Sequence, residues 1–514
     1  MNRFIRCTAT AFLASTVFLT GCGEEPRNPN VLIIYTDDHN FEHIGIYGGN
    51  VLTPHMDRIA NEGVRFNRFY VSSPVCTPSR YSLLTGRYAS RSKVLPKRQS
   101  TADPAYIRWN TFLSSQERNS AHLFRDAGYV TGMVGKYHLG GEFGYVGGDE
   151  DYSDPAIQDT IRHIYETWKK HVQETAGFDY VESLYGNNLH IIGVPKSMQY
   201  HNMEWITRGA VDFIDRYRNQ PFFLYMAPTL PHVPGPLASL KADPRITAAG
   251  ILDEPITGVQ PSRESVFGRT RAAGIPDENA PMTWLDDGIG AVLQRLEEYG
   301  ILEHTIVVFA SDHQSPRAKM TCYEDAANAP AAIMWKGHIP EGVVSDALVS
   351  NIDVVPTLLD LTGVVQPENY LVDGESWREF LGTDSGRSPR VPEEAATAGP
   401  VHESLYLEVV YQRAVVTPEW KYIAVRFPDT TQAKITPENR NQFNVEGRMG
   451  PDRYHNHTIY PGYHDDDQLY FLPDDPDEQH NLAGYPEYGE QLDRMKIILG
   501  EYTSVLPFAF GEFH

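Results

Sequence analysis

Asp37-Asp38-His39 and Ser311-Asp312-His313 are two clusters of metal-competent side chains, and each directly follows a short apolar run, Asn30-Val31-Leu32-Ile33-Ile34-Tyr35 in one case and Thr305-Ile306-Val307-Val308-Phe309 in the other. Carboxylates gathered at one point repel each other unless positive charge stands between them, so acids repeated at two strand ends point to a hard, oxygen-preferring cation such as Ca²⁺ or Mg²⁺. Cys76-Thr77-Pro78-Ser79-Arg80 is a different signal. A side chain able to act as a nucleophile stands two residues before a proline, which favours the first turn of a helix. Cys76 is therefore expected at a helix N-terminus, where free N–H groups and the dipole favour an anion, and Arg80 adds a fixed cation. Two histidines sit in distinctive contexts. Gly135-Lys136-Tyr137-His138-Leu139-Gly140 pairs one with a lysine, and Ala227-Pro228-Thr229-Leu230-Pro231-His232-Val233-Pro234 presents the other on a loop stiffened by prolines.

Short continuous apolar runs are the mark of strands buried on both faces of a parallel sheet. A third such run, Phe222-Phe223-Leu224-Tyr225-Met226, leads into the His232 loop. Trp284, Leu285, Ile289, Val292, Leu293 and Leu296 fall at helical spacing before Gly300, and 155–173 and 202–218 also read as helices. The alternation of strand and helix predicts a doubly wound α/β sheet. Ligands of such sheets sit beyond the carboxyl ends of the strands, so the two acidic clusters are expected to converge. Residues 382–400 read as a linker; beyond them 405–426 is rich in Val, Tyr and Ile, and 484–504 suits a terminal helix. The expected organisation is a large domain over 22–390 and a smaller α+β subdomain over 391–514, with a small antiparallel sheet.

The string from Cys76 to Arg80, followed by Leu84-Thr85-Gly86-Arg87, resembles the maturation signature of the type I, formylglycine-dependent sulfatases, Cys-X-Pro-Ser-Arg. Asp37-Asp38 with Gly45 and Tyr47-Gly48, Thr53-Pro54-His55-Met56-Asp57-Arg58, Gly135 to Gly140, Pro231-His232, Ser311-Asp312-His313 and Lys319 follow in that family's order. So does Leu469-Tyr470 through Asn481-Leu482, and the match spans roughly 28–483. The resemblance implies an alkaline phosphatase-like fold, with a large mixed, mostly parallel sheet between helices. It implies hydrolysis of a sulfate ester, most readily on a carbohydrate, by a formylglycine gem-diol made from Cys76. One Ca²⁺, ahead of Mg²⁺, would be held by Asp37, Asp38, Asp312, His313 and the modified Cys76. Lys136 and Lys319 would bind sulfate oxygens, His138 would act as a base in the formylglycine chemistry, and His232 with Lys319 would assist the departing oxygen. The chemistry explains the aldehyde: a serine-like nucleophile would end as a stable alkyl sulfate, whereas proton loss from the second gem-diol hydroxyl expels sulfate from the covalent sulfo-enzyme. Gln314 stands where the family usually has glycine, Tyr137 where tryptophan is common, and the 312–319 loop is short. A phosphodiester or phosphonate hydrolase and an N-sulfamidase stay open on the same fold, as does a non-catalytic glycan-binding lipoprotein.

Arg3 and Arg6 precede an apolar run from Cys7 to Thr20 that is too short to span a bilayer, and Leu19-Thr20-Gly21-Cys22 resembles the bacterial lipobox. A signal peptide over 1–21, lipidation of Cys22 and an exported lipoprotein, periplasmic or at the cell surface and held by its lipid anchor alone, are expected. That leaves Cys76 and Cys322, which is no disulfide framework, although a Cys76–Cys322 bridge is the bland alternative to conversion. The 514-residue chain carries 67 Asp and Glu against 44 Lys and Arg, a net charge of −23 that argues against nucleic acid as a partner. Any anionic substrate then needs a local nest of cations. The expected partners are a sulfated carbohydrate and a formylglycine-generating maturation enzyme. No substrate-binding residue is assigned: His190, His201, Arg269 and Arg271 read as surface or packing, His39, His43 and His55 as structural, and Tyr454-His455-Asn456-His457 through His464-Asp465-Asp466-Asp467 as a solvated loop at the pocket edge rather than a second metal site.

Overall fold

The computed structural model describes residues 28–140, 147–315, 317–382 and 401–511. The expected signal peptide, Cys22 and all but the first residue of the 382–400 linker lie outside the described residues, and with them the expected 390/391 boundary.

Eleven strands precede the linker: β1 (Asn30–Thr36), β2 (Val64–Tyr70), β3 (Val130–Lys136), β4 (Tyr180–Tyr185), β5 (Phe222–Ala227), β6 (Ile246–Thr247), β7 (Gly250–Ile251), β8 (Thr305–Ser311), β9 (Asn328–Met334), β10 (Val343–Ser345) and β11 (Val349–Ser350). Nine of them form one sheet in the order β10-β2-β9-β8-β1-β5-β3-β4, with β11 also on β2, while β6 and β7 make a separate hairpin. The central strands β8, β1, β5 and β3 run parallel, and β9 is antiparallel to both β8 and β2. Every residue of β1, β5 and β8 is buried, as their uninterrupted apolar runs require. Each enclosed Val, Leu, Ile or Phe there contributes about 1.5–3 kcal/mol. The expected helices form as Pro155–Ala176, Met203–Tyr217 and Ala280–Glu298. The first two start where Asp154 and Asn202 side chains accept from backbone N–H groups of the first turn.

After the linker, β12 (Leu405–Val409), β13 (Gln412–Val416), β14 (Trp420–Val425) and β15 (Asp467–Phe471) form an antiparallel sheet, and the helix Gly489–Ser504 packs on β13 and β14. This sheet is not a free-standing unit. Tyr70, Val75, Met320, Cys322 and Tyr323 of the large part share one apolar cluster with Leu407, Val409, Ile423 and Tyr470. Lys421 is fully buried in that seam, 2.9 Å from Glu324 and 3.0 Å from Glu478. The seam holds the small sheet and its loops against the segment that carries Lys319.

Candidate active site

Four neighbouring parallel strands deliver the site from their carboxyl ends. Register pairs Thr36 of β1 with Ser311 of β8, so the next residues, Asp37 and Asp312, leave the sheet side by side. The Asp38 N–H donates to Asp312 Oδ1 at 3.0 Å and the His39 N–H to Ser311 Oγ at 2.9 Å, locking the two turns together. β3 ends in Lys136. Gly135 before it has φ +88°, and a Cβ there would stand 2.0 Å from Ala227 O, so only glycine lets β3 press on β5 at this point. Beyond β5 the chain returns to the site, where the Asp37 N–H donates to Leu230 O at 3.2 Å and cis peptides at Leu230–Pro231 and Val233–Pro234 flank His232. Cys76 is the first residue of the helix Cys76–Thr85, all ten residues of which are buried. The expected helix N-terminus is present.

Asp37, Asp38, Cys76, Arg80, Lys136, His138, His232, Asp312, His313 and Lys319 are all buried, and the fold brings them together. Lys136 Nζ lies 2.6 Å from Asp37 Oδ2, and Lys319 Nζ lies 2.7 and 2.8 Å from the two oxygens of Asp38. Arg80 donates from Nε and Nη2 to Asp312 Oδ2 at 3.1 and 2.9 Å, and its Nη2 lies 3.4 Å from Asp37 Oδ1. Cys76 Sγ is 3.3 Å from His313 Nε2, which is itself 3.1 Å from Asp38 Oδ1. His232 Nε2 is 3.7 Å from Asp38 Oδ2, and its Nδ1 faces the carbonyl of Val233.

Ligand atoms of Asp37, Asp38, Cys76 and His232 lie within 4.8 Å of one another, as do those of Cys76, Asp312 and His313. Asp37 Oδ1 is buried and accepts no hydrogen bond. Three carboxylates with an open oxygen, one imidazole and an oxygen at position 76 after conversion fit a hard divalent cation of calcium type. His232 enters one of these groups as well, although the sequence assigned it only to the departing oxygen.

The electrostatics favour an anion at position 76. Burial pushes the carboxyls of Asp37 and Asp38 up, but Lys136 on the first and Lys319 on the second, with His232 on both, hold them well below the usual carboxylate range. Burial and the charge of Asp37 push Asp312 up to about 8, against His313 and Arg80. At Cys76 burial works against ionisation, yet Lys136 and Lys319 outweigh it and lower the thiol. Burial, aided by Lys136, holds His138 well below its ordinary value, so the imidazole is neutral, and its buried Nδ1 has no hydrogen-bond partner. The same burial and the Lys136 charge oppose protonation of this ring.

Other residues fall where the sequence left them or reveal roles it did not show. Arg269 and Arg271 pair with Asp287 and Asp277 on and beside the Arg263–Ala272 helix. Cys322 is a buried free thiol pushed up to about 12 by burial, and Cys76 is free too, so no Cys76–Cys322 bridge exists. His201, read as surface or packing, is buried and positions the His232 loop, with Nε2 2.7 Å from His232 O and Nδ1 2.7 Å from Thr229 Oγ1. Tyr225 OH accepts from Arg80 Nη1 at 3.2 Å, and Asn351 Nδ2 donates to Ser79 O at 3.1 Å, steadying the helix that carries Cys76. Tyr225 was hidden inside an apolar run and Asn351 had no motif around it. In the Tyr454–His457 run Asn456 is buried, and its Nδ2 donates to Lys319 O at 3.1 Å, tying the run to the segment that carries Lys319.

A family model described as Sulfatase matches residues 29–364. The chain is 29% identical over 385 residues to N-acetylgalactosamine-6-sulfatase of Homo sapiens, covering 69% of this chain and 66% of that protein, just under two thirds of its length. It is 26% identical over 490 residues to an ulvan-active sulfatase of Formosa agariphila, covering 90% and 79% of the two chains. Among solved structures, a protein in complex with its substrate D-glucosamine-2-N,6-O-disulfate aligns with a TM-score of 0.59 at 20% identity, covering 93% of this chain and 98% of that one. Another, in complex with k-i-k-neocarrahexaose, aligns with a TM-score of 0.59 at 20% identity and 95% coverage of both. These two share the fold. The family match takes in β1, β3, β5 and β8, the helix that begins at Cys76 and all the buried acids and cations they gather, and on that ground the chain belongs to the sulfatase family.

Proposed function

We propose that this protein hydrolyses a sulfate ester on a carbohydrate and releases inorganic sulfate. The observation that carries the reading is the place of Cys76, at a buried helix N-terminus where Lys136 and Lys319 favour negative charge. Carbohydrate is favoured as the carrier because N-acetylgalactosamine-6-sulfatase and the ulvan-active sulfatase are among the relatives, and because fold neighbours are complexed with saccharides. Formylglycine made from Cys76 would supply a hydrated aldehyde as the nucleophile and a way to expel sulfate without a second attack at sulfur. A calcium ion held by Asp37, Asp38, Asp312, His313 and position 76 would supply Lewis acidity toward a sulfate oxygen.

The remaining work falls to side chains. Lys136 and Lys319 bracket position 76 and orient the sulfate oxygens, while the enclosure of Cys76 excludes bulk water. His138, whose buried Nδ1 has no partner, would act as the base of the formylglycine chemistry against the burial and the Lys136 charge that oppose its protonation. His232 keeps Nδ1–H on the Val233 carbonyl, so Nε2 is the atom that faces the site and, as imidazolium, gives its proton to the departing oxygen.

The test is release of inorganic sulfate by protein co-expressed with a formylglycine-generating enzyme, across sulfated mono-, oligo- and polysaccharides and a sulfamate, with phosphate release from phosphodiesters measured alongside. Sulfate release from an O-sulfated sugar is the expected result. Phosphate release alone would move the protein to phosphodiester hydrolysis, and release from the sulfamate alone to N-sulfate cleavage. His232→Ala is expected to slow alkyl sulfates by about 10²–10⁴-fold and activated aryl sulfates much less, because a sugar alkoxide needs protonation and a phenolate does not. Equal losses on both, measured as kcat/KM, would remove His232 from the leaving-group role.

A further inference from the structure

This inference rests on the sulfatase reading and concerns which sulfated saccharide the site takes. Asn456 ties its loop to the backbone of Lys319, and the same loop carries Arg453 and Tyr454. Lys319 Nζ lies 5.8 Å from the centroid of the half-buried Tyr454 ring, so that ring borders the lysine that faces Asp38 and Cys76. Arg453 is exposed and makes no ion pair or hydrogen bond among the described residues. Its contacts are with aromatic rings, its Cζ standing 5.9 Å from the centroid of Trp109 and 6.0 Å from that of Tyr454. Arg108 also stacks on Trp109, at 4.3 Å, but Glu446 neutralises it at 2.9 Å. Arg453 has no such partner. His190, on the surface, is held below its usual value by partial burial and then by the charges of His232, Arg453 and Lys136, which places it near both Arg453 and the site.

Arg80, Lys136 and Lys319 are each paired with an aspartate of the cluster, at 2.9, 2.6 and 2.7 Å, whereas Arg453 has no acidic partner among the described residues and keeps its donors free. A planar guanidinium binds a carboxylate or sulfate through two parallel N–H donors. The Trp109 and Tyr454 rings near this guanidinium add apolar area able to meet the C–H face of a sugar ring. We infer that Arg453 is a specificity-determining residue that binds a second anionic group on the saccharide carrying the scissile sulfate, with Trp109 and Tyr454 as the walls for its ring.

The second anion is either a carboxylate or a further sulfate, and the experiment separates the two. Matured enzyme, Arg453→Gln and Arg453→Lys are compared by kcat/KM on three matched disaccharides: one monosulfated and otherwise neutral, one monosulfated and containing a uronate, and one disulfated. The wild type is expected to prefer one dianion, which names the group. In Arg453→Gln that preference should fall about tenfold to a hundredfold, mainly through KM, and Arg453→Lys should restore part of it because the charge returns without the fork. Added salt should compress the wild-type preference. No wild-type preference, or equal losses by Arg453→Gln on all three sugars, would overturn the assignment while leaving the sulfatase reading intact. Absence of sulfate release from every sugar by protein carrying formylglycine would overturn both.

Discussion

Cys76→Ala is expected to lower sulfate release by about 10⁵-fold or more while leaving a folded protein. Alanine keeps the Cβ and removes only the Sγ, a small buried group whose loss costs about 1 kcal/mol in a site this well enclosed. The helix Cys76–Thr85 is held by Ser79, Asn351 and Tyr225 rather than by the thiol, so circular dichroism and the unfolding midpoint should change little. What disappears is the side chain at the first position of that helix, where Lys136 and Lys319 favour negative charge. A second arm separates a converted nucleophile from a plain thiol. Lys136 and Lys319 lower the thiol of Cys76, so an unconverted chain carries a good nucleophile in the right place. Wild-type protein made without a maturation enzyme should nevertheless be as slow as the alanine variant, because a thiol that has taken sulfate has no second hydroxyl with which to expel it. Equal activity with and without maturation, checked by mass spectrometry at residue 76, would remove formylglycine from the mechanism.

The features legible in the sequence are those written into contiguous residues. Asp37-Asp38 and Asp312-His313 each follow an apolar run, so their position at buried strand ends could be read locally, and the sheet rule brought them together before any contact was known. Cys76 at a helix start followed from Pro78, and 155–173, 202–218 and 484–504 read as helices that the structure shows as Pro155–Ala176, Met203–Tyr217 and Gly489–Ser504. The supporting contacts were not legible. His201 steadies the His232 loop from another segment, and Tyr225 reaches Arg80 from inside a strand whose other side chains are apolar. Periodicity reports which element a residue joins, not which residue across the fold it meets. The same limit hid the seam at Tyr323, Lys421 and Glu478, where the small sheet and the large part share an apolar cluster with a buried charge network. Arg453 had no motif at all, and its meaning comes from the charge it lacks beside it.

Arg80→Met is expected to destabilise the protein by about 3–5 kcal/mol in the presence of chelator and to abolish measurable turnover, because it breaks a buried ion pair by removing one side. Arg80 is fully buried and gives two hydrogen bonds to Asp312 Oδ2, with Asp37 3.4 Å away, and methionine fills similar volume with no charge. Asp312 is pushed up to about 8 before a cation binds; once all three carboxyls are ionised, Asp37, Asp38 and Asp312 are matched in number by Arg80, Lys136 and Lys319. A sulfate ester brings one negative charge and the ionising nucleophile another. A divalent cation supplies the two positive charges that complete the balance, which is the physical reason for an open carboxylate oxygen at Asp37 among so many donors. Without Arg80, Asp312 lacks its fixed counterion, and calcium becomes the nearest substitute. Calcium should therefore raise the free energy of unfolding of Arg80→Met more than that of the wild type, by an increment read from denaturant titrations with and without the ion. Equal increments would mean that Arg80 and the cation do not share Asp312, and no increment in either protein would remove the cation from the site.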